Sequence, residues 1–158
     1  MAEWPLFSLG SGALPSGEDN DLGAKNESRA ETDLQCETAR KVGVLLEQAV
    51  SWLRHAGDWY EWRGDQWAFA GICQLLAISQ SRLGDYSEAL AWLDRAEAIY
   101  ATLEDWQNTA AIGFLQRSAI ARWGGRPDVA MEAIETGLSL TREHGDRVME
   151  ALGLGRLS

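Results

Sequence analysis

From about residue 35 onward, apolar positions recur three and four residues apart. Val42, Leu45, Leu46, Ala49, Leu53 and Ala56 form the first such stripe, the spacing of an amphipathic helix with one face toward a core. Breakers interrupt the pattern at regular points: Arg63-Gly64-Asp65, Leu83-Gly84-Asp85, Glu104-Asp105, Gly124-Gly125-Arg126-Pro127 and Gly145-Asp146. The pattern predicts helices over 36–62, 66–82, 86–103, 106–123 and 127–144, with a short one from 147. No stretch alternates polar and apolar residues with β-branched enrichment, so the chain reads as all-α.

Residues 1–34 lack this periodicity. They hold Pro5 and Pro15, several glycines, and a net charge of −5 from Glu3, Glu18, Asp19, Asp21, Glu27, Glu31 and Asp33 against Lys25 and Arg29. Low hydrophobicity with net charge does not support a core, so this segment reads as an acidic flexible tail ahead of a helical domain at 35–158. Trp4–Leu9 (WPLFSL) is its one apolar cluster.

The helical part repeats. AVSWLRHA from Ala49, ALAWLDRA from Ala89 and AMEAIETG from Ala130 share a layout: a small residue, a large aliphatic four on, and a small residue seven on. Their starts lie 40 and 41 residues apart, and Asp65, Asp105 and Asp146 keep the same intervals. Small residues on one face let helices approach closely, while an Asp after each turn caps the helix that follows. A hairpin of this kind buries its apolar face only by stacking on others.

The stretch LGDYSEALAWLDRA, Leu83 to Ala96, resembles the tetratricopeptide repeat. Gly84, Asp85, Tyr86, Ala89, Leu93 and Ala96 match that family's turn and second helix, and Ala70 and Ala77 fall at small positions of its first helix. The period of 40–41, against the usual ~34, resembles the extended variant found in regulator and scaffold proteins. The resemblance covers about Gln35 to Leu154. It departs at Pro127, where Tyr86 has its counterpart, and at Arg117, where an aliphatic is expected; ETARKVG before the first full copy lacks the Gly-Asp-Tyr turn. It implies a short right-handed superhelical stack of antiparallel helix pairs, a TPR-like α-α solenoid that binds a protein or peptide in its concave groove as scaffold or adaptor.

Charge narrows the partners. A net charge of −10 argues against nucleic acid and against an anionic membrane surface. No apolar run approaches the ~20 residues of a membrane span, and the start lacks a basic, then apolar leader, so a cytoplasmic location is expected. Cys36 and Cys73 make no disulfide framework and read as reduced thiols. The eight tryptophans fall mostly at helical spacings and read first as packing.

Catalysis finds no constellation. His55 and His144 are alone near helix ends, no Cys or second His stands at metal-ligand spacing, and no phosphate-binding glycine loop or nucleophile elbow is present. Arg63-Gly64-Asp65 reads as a turn with Asp65 as cap, and Asp94, Glu97, Glu104 and Asp105 as a solvated helix face. No cofactor is implied.

Placed on the resemblance, the inward-facing positions are Gln74, Ile78, Ser81 and Arg82 of one first helix and Leu115, Ala119 and Arg122 of the next. Arg82 and Arg122 lie 40 apart, in equivalent places. Two guanidinium forks on one face suit an acidic segment or a C-terminal carboxylate. The acidic tail is itself a candidate occupant, folded back onto both arginines. The end of the chain, with Val148, Leu152 and Leu154, reads either as a cap or as an open apolar end that invites self-association. A second class fits the same fold: a regulatory or sensor module of a larger signalling or transcription system that binds a ligand or gates a partner.

Overall fold

The structure, a computed structural model, describes residues 17–157, with side chains from residue 25. Every element among them is helical: α1 (Gly17–Arg63), α2 (Gln66–Leu83), α3 (Tyr86–Thr102), α4 (Trp106–Ala111), a π-turn (Ile112–Arg117), α5 (Ser118–Trp123), α6 (Pro127–Glu143) and α7 (Arg147–Leu154). Trp4–Leu9 and its docking lie outside the described residues. No described helix is long and apolar enough to cross a membrane.

The chain divides into two units, residues 1–41 and 42–158. In the first, α1 begins at Gly17, well before the helix start expected near Gln35. Between Pro15 and Pro127 the chain has no proline, so nothing in the backbone forbids helix, and Ala24, Lys25, Glu27, Arg29, Ala30 and Glu31 are good helix formers. Local bonds support it: Lys41 pairs with Glu37 at 2.8 Å, and Thr32 and Thr38 donate to the carbonyls of Ser28 and Leu34. Residues 25–41 are exposed throughout, and a polar helix of good helix formers forms by propensity without an apolar face.

In the second unit, consecutive helices pack on their neighbours, α2 with α3 and α6 with α4, α5 and α7. One cluster gathers Ala70, Cys73 and Ala77 of α2 with Ala89, Leu93 and Ala96 of α3, all fully buried. The alanine spacing of seven permits this close approach. The C-terminal part of α1 lies on the same cluster, with Tyr60 against it and Gly57 beside Phe69 and Ile72. A second cluster centres on Phe114, with Ala110, Ile134 and Leu138. A Cβ on Gly137 or Gly153 would stand 2.6 or 2.5 Å from the Phe114 ring, so only glycine admits it.

The turns carry the repeat. Gly64, Gly84, Glu104, Gly125 and Gly145 all have positive φ, at intervals of 20 or 21 residues. The next residue caps the following helix in four of the five: Asp65 accepts from Ala68 N, Asp85 from Glu88 N, Asp105 from Asn108 N, and Asp146 from Val148 N and Met149 N. Arg126 holds the fifth place without a side-chain cap, and Pro127 opens α6 instead.

The expected helix over 106–123 is present but not uniform. Its middle widens into the π-turn at Ile112–Arg117. There a Cβ on Gly113 would come within 2.8 Å of the Ala133 carbonyl oxygen, so the π-turn and α6 touch backbone to backbone.

Candidate functional site

The sequence placed its candidate residues on α2 and on the run α4–π-turn–α5. Arg82 and Arg122 occupy the last turns of α2 and α5 and are exposed. A cation there complements the free carbonyls of a helix end. Neither forms an ion pair with a described residue, whereas Arg54, Arg95, Arg117 and Arg142 all do. Leu115 is exposed, and Ile78 and Ala119 are half-buried.

Two positions differ from the expectation. Ser81 is buried, 5% exposed, and its hydroxyl donates to the Ile78 carbonyl at 2.8 Å. It belongs to the α2–α3 packing because it lies on the helix side of Ala70 and Ala77, so it lines no surface. Gln74 is tied up rather than free. Its Nε2 donates to the Tyr100 hydroxyl and its Oε1 accepts from Gln116 Nε2, both at 3.0 Å. This bridge joins α2 to the π-turn at mid-height and holds the two candidate segments together. Gln116 Oε1 is buried with no hydrogen-bond partner among the described residues. Burial, and then the Asp105 carboxylate, raise the Tyr100 phenol above its ordinary 10.0, against the Gln74 hydrogen bond.

Sequence reasoning missed the aromatic part of this surface. Trp67, at the start of α2, is 59% exposed and donates through Nε1 to Asp105 at 3.3 Å. Trp123, at the end of α5, is 65% exposed, and Leu75 is exposed beside Gln74. The signal was in the sequence. Residues 66–83 and 106–123 contain no Asp or Glu, in a chain that has 24. From Asp65 onward the acids stand at the caps, at Glu104, at Glu150 of α7 and on the partner helices, where α3 carries Glu88, Asp94 and Glu97 and α6 carries Asp128, Glu132, Glu135 and Glu143.

Arg117, which broke the expected repeat, turns inward toward α3. It is 14% exposed, with Nη2 at 2.6 Å from Asp94 and Nε and Nη2 at 3.0 and 2.9 Å from the two oxygens of Glu97. Burial lowers its pKa, but the Glu97 and Asp94 carboxylates outweigh that and hold it charged. Asp94 keeps the solvated position expected of it, at 69% exposed, while Glu97, at 27%, is partly buried as a structural partner of Arg117. These three side chains, with Thr109, Glu132 and Thr136, line a cavity of about 270 Å³ between α3, the π-turn and α6.

The remaining reactive groups are locally satisfied. His55 and His144 each place Nδ1 on a carbonyl four residues back, and His144 stacks on Trp106 with ring centres 4.3 Å apart. Burial pushes the Cys73 thiol up to about 11, which leaves it protonated and inert at neutral pH. Among the described residues no group of His, Cys, Asp and Glu is arranged to hold a metal. Comparison of the chain with family models, with curated proteins and with solved structures finds no match, so the tetratricopeptide resemblance rests on its residues and its helices alone.

Proposed function

We propose that this protein is a peptide- or protein-binding scaffold whose helix pairs stack as a short solenoid, with α2 and α4–α5 forming the receiving face. One observation carries the reading. The two segments of that face are the acid-free ones, and they hold Arg82 and Arg122, which have no ion pair among the described residues, in a chain of net charge −10. A surface kept clear of like charge around two guanidinium forks suits an acidic segment or a C-terminal carboxylate. Trp67, Leu75, Ile78, Leu115 and Trp123 supply contact area beside the charges, and aromatic anchors of this kind dominate binding energy at interfaces.

The test is binding of fluorescent acidic and C-terminally free peptides to the full chain and to Arg82→Glu, Arg122→Glu and the double variant. Each charge reversal weakens binding about tenfold or more, and added salt weakens it further. Peptides that bind all variants equally, or that prefer amidated or basic sequences, overturn the reading.

A further inference from the structure

The C-terminal part of α1 carries a second surface, unrelated to the α2 and α4–α5 face. On α3, Trp92 is half-buried because α1 lies over it: the Arg54 guanidinium sits 5.9 Å from the Trp92 ring centre and pairs with Glu88, while Arg95 pairs with Glu61. Forty residues earlier, the equivalent Trp52 is 77% exposed. The rest of the repeat agrees. Ala89, Leu93, Ala96 and Tyr100 are buried to within 2% of full burial, whereas Ala49, Leu53, Ala56 and Tyr60 are only half-buried. The segment forty residues before α2, residues 26–43, is a polar stretch of α1 itself and not a separate helix.

The face left uncovered among the described residues is a heptad seam. Leu45, Trp52 and Trp59 stand seven apart, and Gln48, His55 and Trp62 follow each by three, the two positions that meet a partner helix in a coiled coil. All but Gln48 and His55 are large and apolar, and Leu45, Trp52, Trp59 and Trp62 are exposed. The charged residues Glu47, Arg54 and Glu61 fall on another side of the helix, while Asp58 and Arg63 flank the seam, the Arg63 guanidinium 4.6 Å from the Trp59 ring centre. We infer that the occupant is a second copy of this chain, with α1 packed antiparallel on α1 about a two-fold axis. The seam is self-complementary in that arrangement: Leu45 faces Trp62 of the second copy, Gln48 faces Trp59, and Trp52 faces His55. The chain already uses a tryptophan–histidine stack of this type internally, at Trp106 and His144. Covering Leu45 and three tryptophans removes on the order of 500 Å² per copy, about 1,000 Å² in all, the size of a weak, concentration-dependent isologous dimer.

Sedimentation velocity on the full chain across about two decades of concentration reads this directly. The expected result is a concentration-dependent dimer. Trp52→Glu and, independently, Gln48→Glu shift it to monomer with unchanged helical circular dichroism. Val148→Glu, an equally exposed apolar position on α7, leaves the dimer intact. A chain that stays monomeric, a dimer that survives both seam variants, or a dimer that Val148→Glu dissolves instead overturns the assignment. None of these readouts depends on Arg82 or Arg122.

Discussion

Among the described residues Glu104 is the one non-glycine residue with a positive φ, at 55°. It stands where Gly64, Gly84, Gly125 and Gly145 stand in the other turns. An L-residue there brings its Cβ against the backbone, a strain that glycine avoids. Glu104→Gly is expected to stabilise the fold by about 1 kcal/mol, raising Tm by roughly 2–4 °C; thermal unfolding followed by circular dichroism measures it. A fall in Tm shows that Glu104 makes a contribution its backbone conformation conceals. Its neighbour Asp105 illustrates why single residues are hard to read from spacing. Burial raises its carboxyl pKa, but hydrogen bonds from Asn108 and Trp67 outweigh this and hold it below its ordinary 3.8. It is both the cap of α4 and the acceptor of an exposed tryptophan, and only the first role is visible in a repeat.

At the scale of the element, the run from Trp106 to Trp123 departs most from expectation. Its ends obey the repeat, with Asp105 as cap and Gly124 after the last turn. Its middle is a π-turn because three demands meet there: Gly113 touches the α6 backbone, Phe114 fills the space left by Gly137 and Gly153, and Arg117 reaches Asp94 and Glu97. The ion pair is partly buried, so removing the cation strands Glu97. Arg117→Ala is expected to cost about 2 kcal/mol, and Arg117→Leu less, because the aliphatic that the repeat calls for restores packing. Urea unfolding separates the two. Equal losses identify the charge, and not the packed stem, as the whole contribution. The N-terminal part of α1 departs for a simpler reason: helix propensity without an apolar face leaves no periodic pattern in the sequence.

At the scale of the molecule, the two thiols report how the core is closed. Cys73 is fully buried between α2 and α3, and Cys36 is exposed. A thiol reagent at pH 8 is expected to modify Cys36 alone in the folded chain and both residues in denaturant. Two modified thiols under native conditions show that the α2–α3 hairpin opens. The sign of the pH dependence follows from the same burial. The folded thiol titrates near 11 against an ordinary 9.0, so its contribution is complete below 9.0 and is lost as the pH rises toward 11, where only the unfolded thiol ionises freely. Charge is also distributed at this scale, with acids on α1, α3, α6, α7 and the caps and none on α2 or the α4–α5 run. The acid-free segments carry Arg82, Arg122 and the exposed Trp67 and Trp123.

The sequence by itself determined that the chain is helical, where its turns fall and which alanines meet, because helix periodicity, left-handed turn residues and caps are local and survive in a linear pattern. It located Arg82 and Arg122 as exposed and Ala70, Ala77, Ala89 and Ala96 as core on the same grounds. Only the tertiary structure decided that Ser81 is buried, that Gln74 is bound to Gln116 and Tyr100, that Arg117 turns inward and that Trp52 and Trp62 have no cover among the described residues. Those facts depend on which helix lies opposite, and residues far apart in the chain settle it.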